Sequence, residues 1–104
     1  MAIVELTITP LGTGSPSVSQ YVANVHKVLE EALEPVKFQL TAMSTIIEGD
    51  LKDIIAVIMR MHEVPFENGA LRVSTLLRID DRRDKQASIE QKLNSVNEKL
   101  GHKA

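Results

Sequence analysis

Residues 2–9 read Ala-Ile-Val-Glu-Leu-Thr-Ile-Thr, an alternation of apolar and mostly polar side chains that predicts a β-strand. Ala2, Val4, Leu6 and Ile8 lie on one face of this strand. A strand with one apolar face needs a packed layer on that face only. The opposite face is therefore left to line a wet cavity or an interface.

The next stretch, residues 9–19, reads Thr-Pro-Leu-Gly-Thr-Gly-Ser-Pro-Ser-Val-Ser and joins the strand to a helical pattern. Its glycines let the backbone approach a ligand closely, its prolines stiffen the path, and its hydroxyls both donate and accept hydrogen bonds. We interpret it as a candidate ligand loop. The alternative is a plain strand-to-helix connection with a capping box formed by Ser17 and Gln20.

Helical and strand-like patterns alternate through the rest of the chain. Apolar residues at helical spacing predict one helix from Ser17 to about Leu33 and a second from Leu51. Alternation predicts three further strands, at 36–41, 45–48 and 71–80, of which the first two form a hairpin. A thin apolar stripe predicts a terminal helix from Ser88, which either docks on something or pairs with a neighbour.

The end of the second helix carries a conflicting signal. Pro65 lies inside its expected last turns, where proline removes a backbone hydrogen bond, so we expect a kink or a break. Asn68 and Gly69 then supply a left-handed stop.

The order strand, helix, strand, strand, helix, strand, helix predicts an α+β protein. We expect a ferredoxin-like βαββαβ sandwich with a four-stranded antiparallel sheet and an extra C-terminal helix, in a single domain over residues 1–104. Two helices cover one face of the sheet. Ile3 and Leu76 on the other, open face favour self-association through it.

Composition excludes several function classes. The net charge of −2 gives no electrostatic case for nucleic acid. No apolar run approaches the roughly 18 residues that cross a bilayer, and no signal-peptide pattern is present. Cysteine is absent, which excludes disulfides, thiolate metal sites and cysteine nucleophiles. We expect a cytoplasmic protein with no nucleic-acid or membrane partner.

The charged run after the last strand is the strongest candidate for a metal site, and we reject it. Asp80, Asp81 and Asp84 have Arg82 and Arg83 among them, and these cations would compete with a metal. We interpret the run as a charged strand exit with surface or intersubunit ion pairs.

Signals for catalysis and phosphate binding are weak. No serine has a convincing base and orienting group, so no catalytic residue is assigned. His26 and His62 are interpreted as half-buried structural residues. The segment around Gly12 and Gly14 lacks the third glycine of the dinucleotide-binding fingerprint and the lysine of a P-loop.

Four stretches together resemble the small thiamine-binding protein family: residues 9–19 quoted above, Thr45-Ile-Ile-Glu-Gly-Asp50, Met61-His62-Glu63 and Ile79-Asp-Asp-Arg-Arg-Asp84. The resemblance extends from residue 2 to about 98. It implies a ferredoxin-like fold and assembly through the sheets into a homodimer or homotetramer. It also implies binding of thiamine or its hydroxymethylpyrimidine part as ligand, without catalysis and without a further cofactor.

Such a ligand suggests where to look for binding residues. A pyrimidine with an exocyclic amine needs an acceptor near the amine and a carboxylate or hydroxyl near the ring nitrogens. The candidates are a carboxylate, three hydroxyls from the sheet and three loop residues: Glu48; Thr7, Thr41 and Thr45; Thr13, Gly14 and Ser15. Each group also has a structural interpretation. Glu48 fits a solvated strand end or a charge near the N-terminus of the following helix. The three threonines fit ordinary strand propensity, and the three loop residues fit a plain connection.

Two other functions fit the same fold. A regulatory or assembly module with no thiamine ligand would use the open sheet only to oligomerise, and its oligomers would be indifferent to thiamine. An acylphosphatase-like enzyme would need an arginine in the first loop, and residues 10–19 contain none. We therefore expect no enzymatic activity.

Overall fold

The computed structural model describes residues 1–12, 19–84 and 89–101. Four strands and three helices follow one another in the predicted order: β1 (Ala2–Pro10), α1 (Ser19–Glu31), β2 (Lys37–Leu40), β3 (Thr45–Gly49), α2 (Leu51–Glu67), β4 (Val73–Asp81) and α3 (Ile89–Lys99). The predicted α+β class, the ferredoxin-like arrangement and the extra C-terminal helix are confirmed.

The sheet has the order β2-β3-β1-β4, and every neighbouring pair is antiparallel. The ladder between β1 and β4 runs the full length of β1, to Pro10 opposite Val73. The ladder between β1 and β3 stops earlier, at Leu6 opposite Thr45. Residues 7–10 of β1 therefore have a neighbouring strand on one side only.

The core lies between the sheet and the layer formed by α1 and α2. The register places Val4 opposite Ile47, and both side chains are fully buried under Ile54 and the other apolar side chains of the helices. This burial is the main stabilising term of the fold. Leu76 on the open face is 70% exposed, as the alternation of β4 predicts.

The end of α1 differs from the sequence prediction. Helix α1 ends at Glu31 rather than near Leu33, which is 98% exposed. The Ala32 N–H donates to the carbonyl of Leu29 at 3.3 Å, a tight turn that closes the helix before the restricted residues around Pro35. Ser17, the predicted cap, lies outside the described residues.

Of the two outcomes expected at Pro65, a kink or a break, the break is wrong, because α2 continues to Glu67. The kink stays a prediction. Pro65 is fully buried, so its ring packs in the core while the helix loses the one backbone hydrogen bond that its missing N–H would make. Its carbonyl accepts the N–H groups of Asn68 at 3.1 Å and Ala70 at 2.9 Å, which holds the turn together. The predicted left-handed stop is confirmed at Gly69, where φ is +98°.

Helix α3 is attached to the open face of the sheet at its first turn. The backbone N–H of Ile89 donates to Glu48 Oε2 at 2.7 Å, and Lys92 pairs with Asp80. The Lys92 ammonium holds the pKa of Asp80 below its usual value. The apolar stripe of the helix stays more than half exposed at Leu93, Val96 and Leu100. Pairing of this stripe with a neighbour stays a prediction.

A bidentate ion pair connects the segment after α1 to α2. Arg60 Nη1 and Nη2 each donate to one carboxylate oxygen of Glu34 at 2.8 Å. These hydrogen bonds lower the pKa of Glu34 from 4.5 to about 2. A carboxyl whose pKa is depressed in the folded state stabilises the fold above its unfolded pKa, and this stabilisation is lost as the pH falls through the folded value.

The substitution Glu34→Gln should therefore reduce the pH dependence of stability in acid. The difference in urea midpoint between wild type and variant should be constant above about pH 5. It should shrink as the pH falls from 4.5 to about 2, the range between the two pKa values. A difference that stays unchanged down to pH 2 would mean that the ion pair does not form in solution.

Candidate functional site

A cavity of about 230 Å³ opens where β1 extends beyond β3. It is bounded by the second half of β1, the start of α1, the turn between β2 and β3, and Met61 and Pro65 of α2. Its described wall is mainly apolar, and its polar side chains are Thr7, Thr9, Tyr21, His26, Thr41, Ser44 and Thr45. An apolar concave site with few polar groups is typical of small-molecule binding.

His26 and Thr45 form a side-chain pair in this cavity. His26 Nε2 lies 3.1 Å from Thr45 Oγ1, and Thr45 is only 8% exposed. The ring of Phe38 meets the His26 ring edge-on with centroids 6.0 Å apart. Because these two contacts fix the plane of the imidazole, the pair presents a pre-oriented polar group to the cavity.

Thr41 organises the turn that closes one side of the cavity. Its hydroxyl accepts the N–H of Ser44 at 3.0 Å and that of Met43 at 3.3 Å, and it donates to the Ser44 carbonyl at 2.9 Å. Ser44 Oγ in turn donates to Glu5 Oε2 at 3.2 Å. The hydroxyl of Thr41 therefore holds the 41–44 turn in place.

The structure brings together three of the predicted ligand residues, Thr7, Thr41 and Thr45, all of which line the cavity. Thr13, Gly14 and Ser15 lie outside the described residues. The ligand contacts of all six residues stay predictions.

Glu48 lies apart from the cavity, on the open face of the sheet. It is 7% exposed, and its carboxylate accepts the Ile89 N–H at the first turn of α3. A carboxylate at a helix N-terminus is stabilising, which gives Glu48 a structural role at a different helix from the one that follows it in sequence. Its contact with a ligand stays a prediction.

Sequence reasoning missed Tyr21, His26 and Ser44 as lining residues. Tyr21 is one of the apolar residues at helical spacing that predict the first helix, and His26 is interpreted from the sequence as a structural residue. Tyr21 and His26 lie beside Val22 and Val25 on one side of α1. A histidine next to buried Val25, at the border of the stripe, was the available signal.

The charged run after β4 forms surface ion pairs, as interpreted. Arg83 pairs with Asp81 at 2.9 Å and Arg82 with Asp84 at 2.6 Å, and these carboxylates raise the pKa of both guanidinium groups. In residues 1–12, 19–84 and 89–101, no group of three or more histidine or acidic side chains is placed to hold a metal.

None of the helices in the described ranges is both long and apolar enough to cross a membrane.

Comparison with known proteins gives consistent matches over nearly the whole chain. Residues 4–97 match the family described as thiamine-binding protein. UPF0045 protein YqgV of Bacillus subtilis is 55% identical over 96% of this chain and 98% of its own length. A UPF0045 protein of Staphylococcus xylosus is 47% identical over 96% of this chain and 95% of its own.

A solved structure agrees with these sequence relatives. The crystal structure of a hypothetical protein from Methanocaldococcus jannaschii has a TM-score of 0.82 at 37% identity, covering 93% of this chain and 96% of that one. Together with the match over residues 4–97, these likenesses show that the chain belongs to the thiamine-binding protein family.

Proposed function

We propose that the protein binds the hydroxymethylpyrimidine part of thiamine, or thiamine itself, in the cavity beside β1, and catalyses no reaction. The observation that carries the proposal is the His26–Thr45 pair, fixed at 3.1 Å in a mainly apolar cavity of a thiamine-binding family member. Apolar walls accept an aromatic ring, and a few oriented polar groups select its edge.

The size of the cavity favours one ring over two. Its volume of about 230 Å³ is below the range of about 300–1,000 Å³ that holds drug-sized ligands. A single substituted pyrimidine suits such a space, and the thiazolium of thiamine would then extend toward the opening.

The charge of the wall favours the same part of the ligand. The lining residues among those described include no aspartate, glutamate, lysine or arginine. A positively charged thiazolium gains most from an anionic neighbour, whereas a neutral pyrimidine needs only hydroxyl and imidazole partners such as Thr7, Thr45 and His26. The Tyr21 ring offers the cation a weaker, cation–π partner. The same lack of paired charges supports binding without catalysis.

Titration calorimetry with hydroxymethylpyrimidine and with thiamine tests the proposal. We expect saturable heats with a dissociation constant below about 1 mM for the pyrimidine. At about 100 times the dissociation constant, the ligand should add roughly 2.7 kcal/mol to the free energy of unfolding, which raises the thermal midpoint. Flat heats with both compounds would contradict the proposal.

Self-association through the open sheet face is the second part of the proposal, with a homodimer or homotetramer as the product. It is supported by the exposure of Leu76 at 70% and by the exposed stripe of α3, which begins on the same face. Exposed apolar surface of this kind marks interaction sites. If the protein associates but binds neither compound, the assembly module without a thiamine ligand is the better assignment.

A further inference from the structure

The cavity lies against the edge of β1, where a strand is missing. Five consecutive residues, 6–10, all line it. Side chains of a strand alternate between its two faces, so a cavity on one face would touch alternate residues only. Contact with every residue indicates that the cavity faces the backbone edge that β3 leaves uncovered beyond Leu6.

The ladder with β4 decides which backbone groups face the cavity. The N–H of Leu11 donates to the carbonyl of Arg72 at 2.9 Å, which continues the ladder past Pro10. In an antiparallel ladder successive residues direct their backbone groups to opposite sides. Leu11 and Thr9 therefore point toward β4, whereas Pro10 and Ile8 point toward the cavity.

Pro10 supports this assignment. Proline has no N–H and is tolerated in a strand where no ladder partner is needed. Ile8, two residues earlier on the same edge, keeps both its N–H and its carbonyl.

The facing turn does not supply partners for Ile8. Continued by two residues, the ladder that ends at Leu6 and Thr45 would place Met43 opposite Ile8. The N–H of Met43 instead donates to Thr41 Oγ1 at 3.3 Å. Within the described ranges, Ile8 thus has no strand partner on this side. Backbone groups in such a site require a partner, either water or a ligand.

We infer that the main chain of Ile8 binds the amine edge of the pyrimidine. The exocyclic amine of the ligand donates to the Ile8 carbonyl, and the adjacent ring nitrogen accepts the Ile8 N–H. The inference rests on the proposed function and specifies how the ring is recognised. The 41–44 turn lines the same cavity, and its Thr41 N–H donates to the Ser44 carbonyl, so the turn bounds the space beside Ile8, which suits one ring.

A ligand analogue separates this inference from the proposed function. Hydroxymethylpyrimidine is titrated beside its analogue in which hydrogen replaces the amine, which keeps the ring nitrogens and loses the donor. We expect the analogue to bind about tenfold more weakly or worse, as expected when a carbonyl loses its only donor. Equal affinities would overturn the inference and leave the proposed function standing. Flat heats with both compounds would overturn both.

Backbone variants test the second hydrogen bond. Ile8→Pro removes the N–H that faces the cavity, and Ile8→Ala is the matched control that loses the side chain and keeps the N–H. Because the ladder with β4 does not use this N–H, both variants should unfold at similar temperatures. Pyrimidine affinity should be about tenfold lower in Ile8→Pro than in Ile8→Ala. Equal affinities in two folded variants would overturn the inference, and if Ile8→Pro does not fold, the analogue pair decides.

Discussion

Replacing Thr45 by valine should weaken pyrimidine binding about tenfold, which corresponds to about 1.4 kcal/mol. Valine keeps the branched shape but removes the hydroxyl that lies 3.1 Å from His26 Nε2. At a site only 8% exposed, little water is available to replace that hydroxyl. The imidazole loses its orienting partner, and the proposed ligand loses a hydroxyl contact. Titration calorimetry on the folded variant measures the loss.

The chain contains a matched control for this substitution. His62 Nδ1 lies 2.6 Å from Thr75 Oγ1, and the ring of His62 packs edge-on against Phe66 just as His26 packs against Phe38. This second pair is not among the described residues that line the cavity. Thr75→Val should lower the free energy of unfolding by about 1 kcal/mol and leave pyrimidine binding unchanged. Equal losses of affinity in both variants would contradict the placement of the site.

Replacing Leu76 by aspartate should convert the proposed oligomer into monomers. Leu76 lies on the open face opposite Thr7 of β1 and is 70% exposed in the single chain. In a sheet-to-sheet interface the new carboxylate would be buried without a partner, which costs several kcal/mol. Light scattering after size-exclusion chromatography measures the mass, and circular dichroism checks that the fold is retained.

Met59→Asp is the matched control on the opposite side of the molecule. Met59 is 59% exposed on α2, in the helical layer. Its replacement by aspartate therefore introduces the same charge as Leu76→Asp, but away from the open face. The mass of this variant should equal that of the wild type. A wild-type mass for Leu76→Asp, or a monomeric wild type, would contradict association through the sheet.

The fold was predictable because its signals are local. Alternation in residues 2–9 and helical spacing from Leu51 each identify an element and the face that it buries. Once the order of elements is known, few topologies can bury all the apolar faces, and the ferredoxin-like arrangement is one of them. Thr41 and Thr45 were also predictable as neighbours, because a short hairpin connects them.

The site was less predictable because it depends on contacts between distant segments. The cavity exists because Thr45, the first residue of β3, lies opposite Leu6, while β1 continues to Pro10. No local sequence pattern shows where two paired strands end relative to each other. Glu48 illustrates the same difficulty. Its partner Ile89 is 41 residues away, so the sequence suggested the helix that follows Glu48 rather than α3. His26 was assigned to structure because its position in α1 does not reveal what lies across from it.

The early end of the β2–β3 hairpin makes the size of the cavity depend on the length of the turn. A strand advances about 3.3 Å per residue, so two more residues on each arm would carry the turn about 7 Å along β1 and close most of the opening. Two fewer would widen it by the same amount. Insertions and deletions at one surface turn can therefore change the size of the cavity in discrete steps while the buried residues stay as they are.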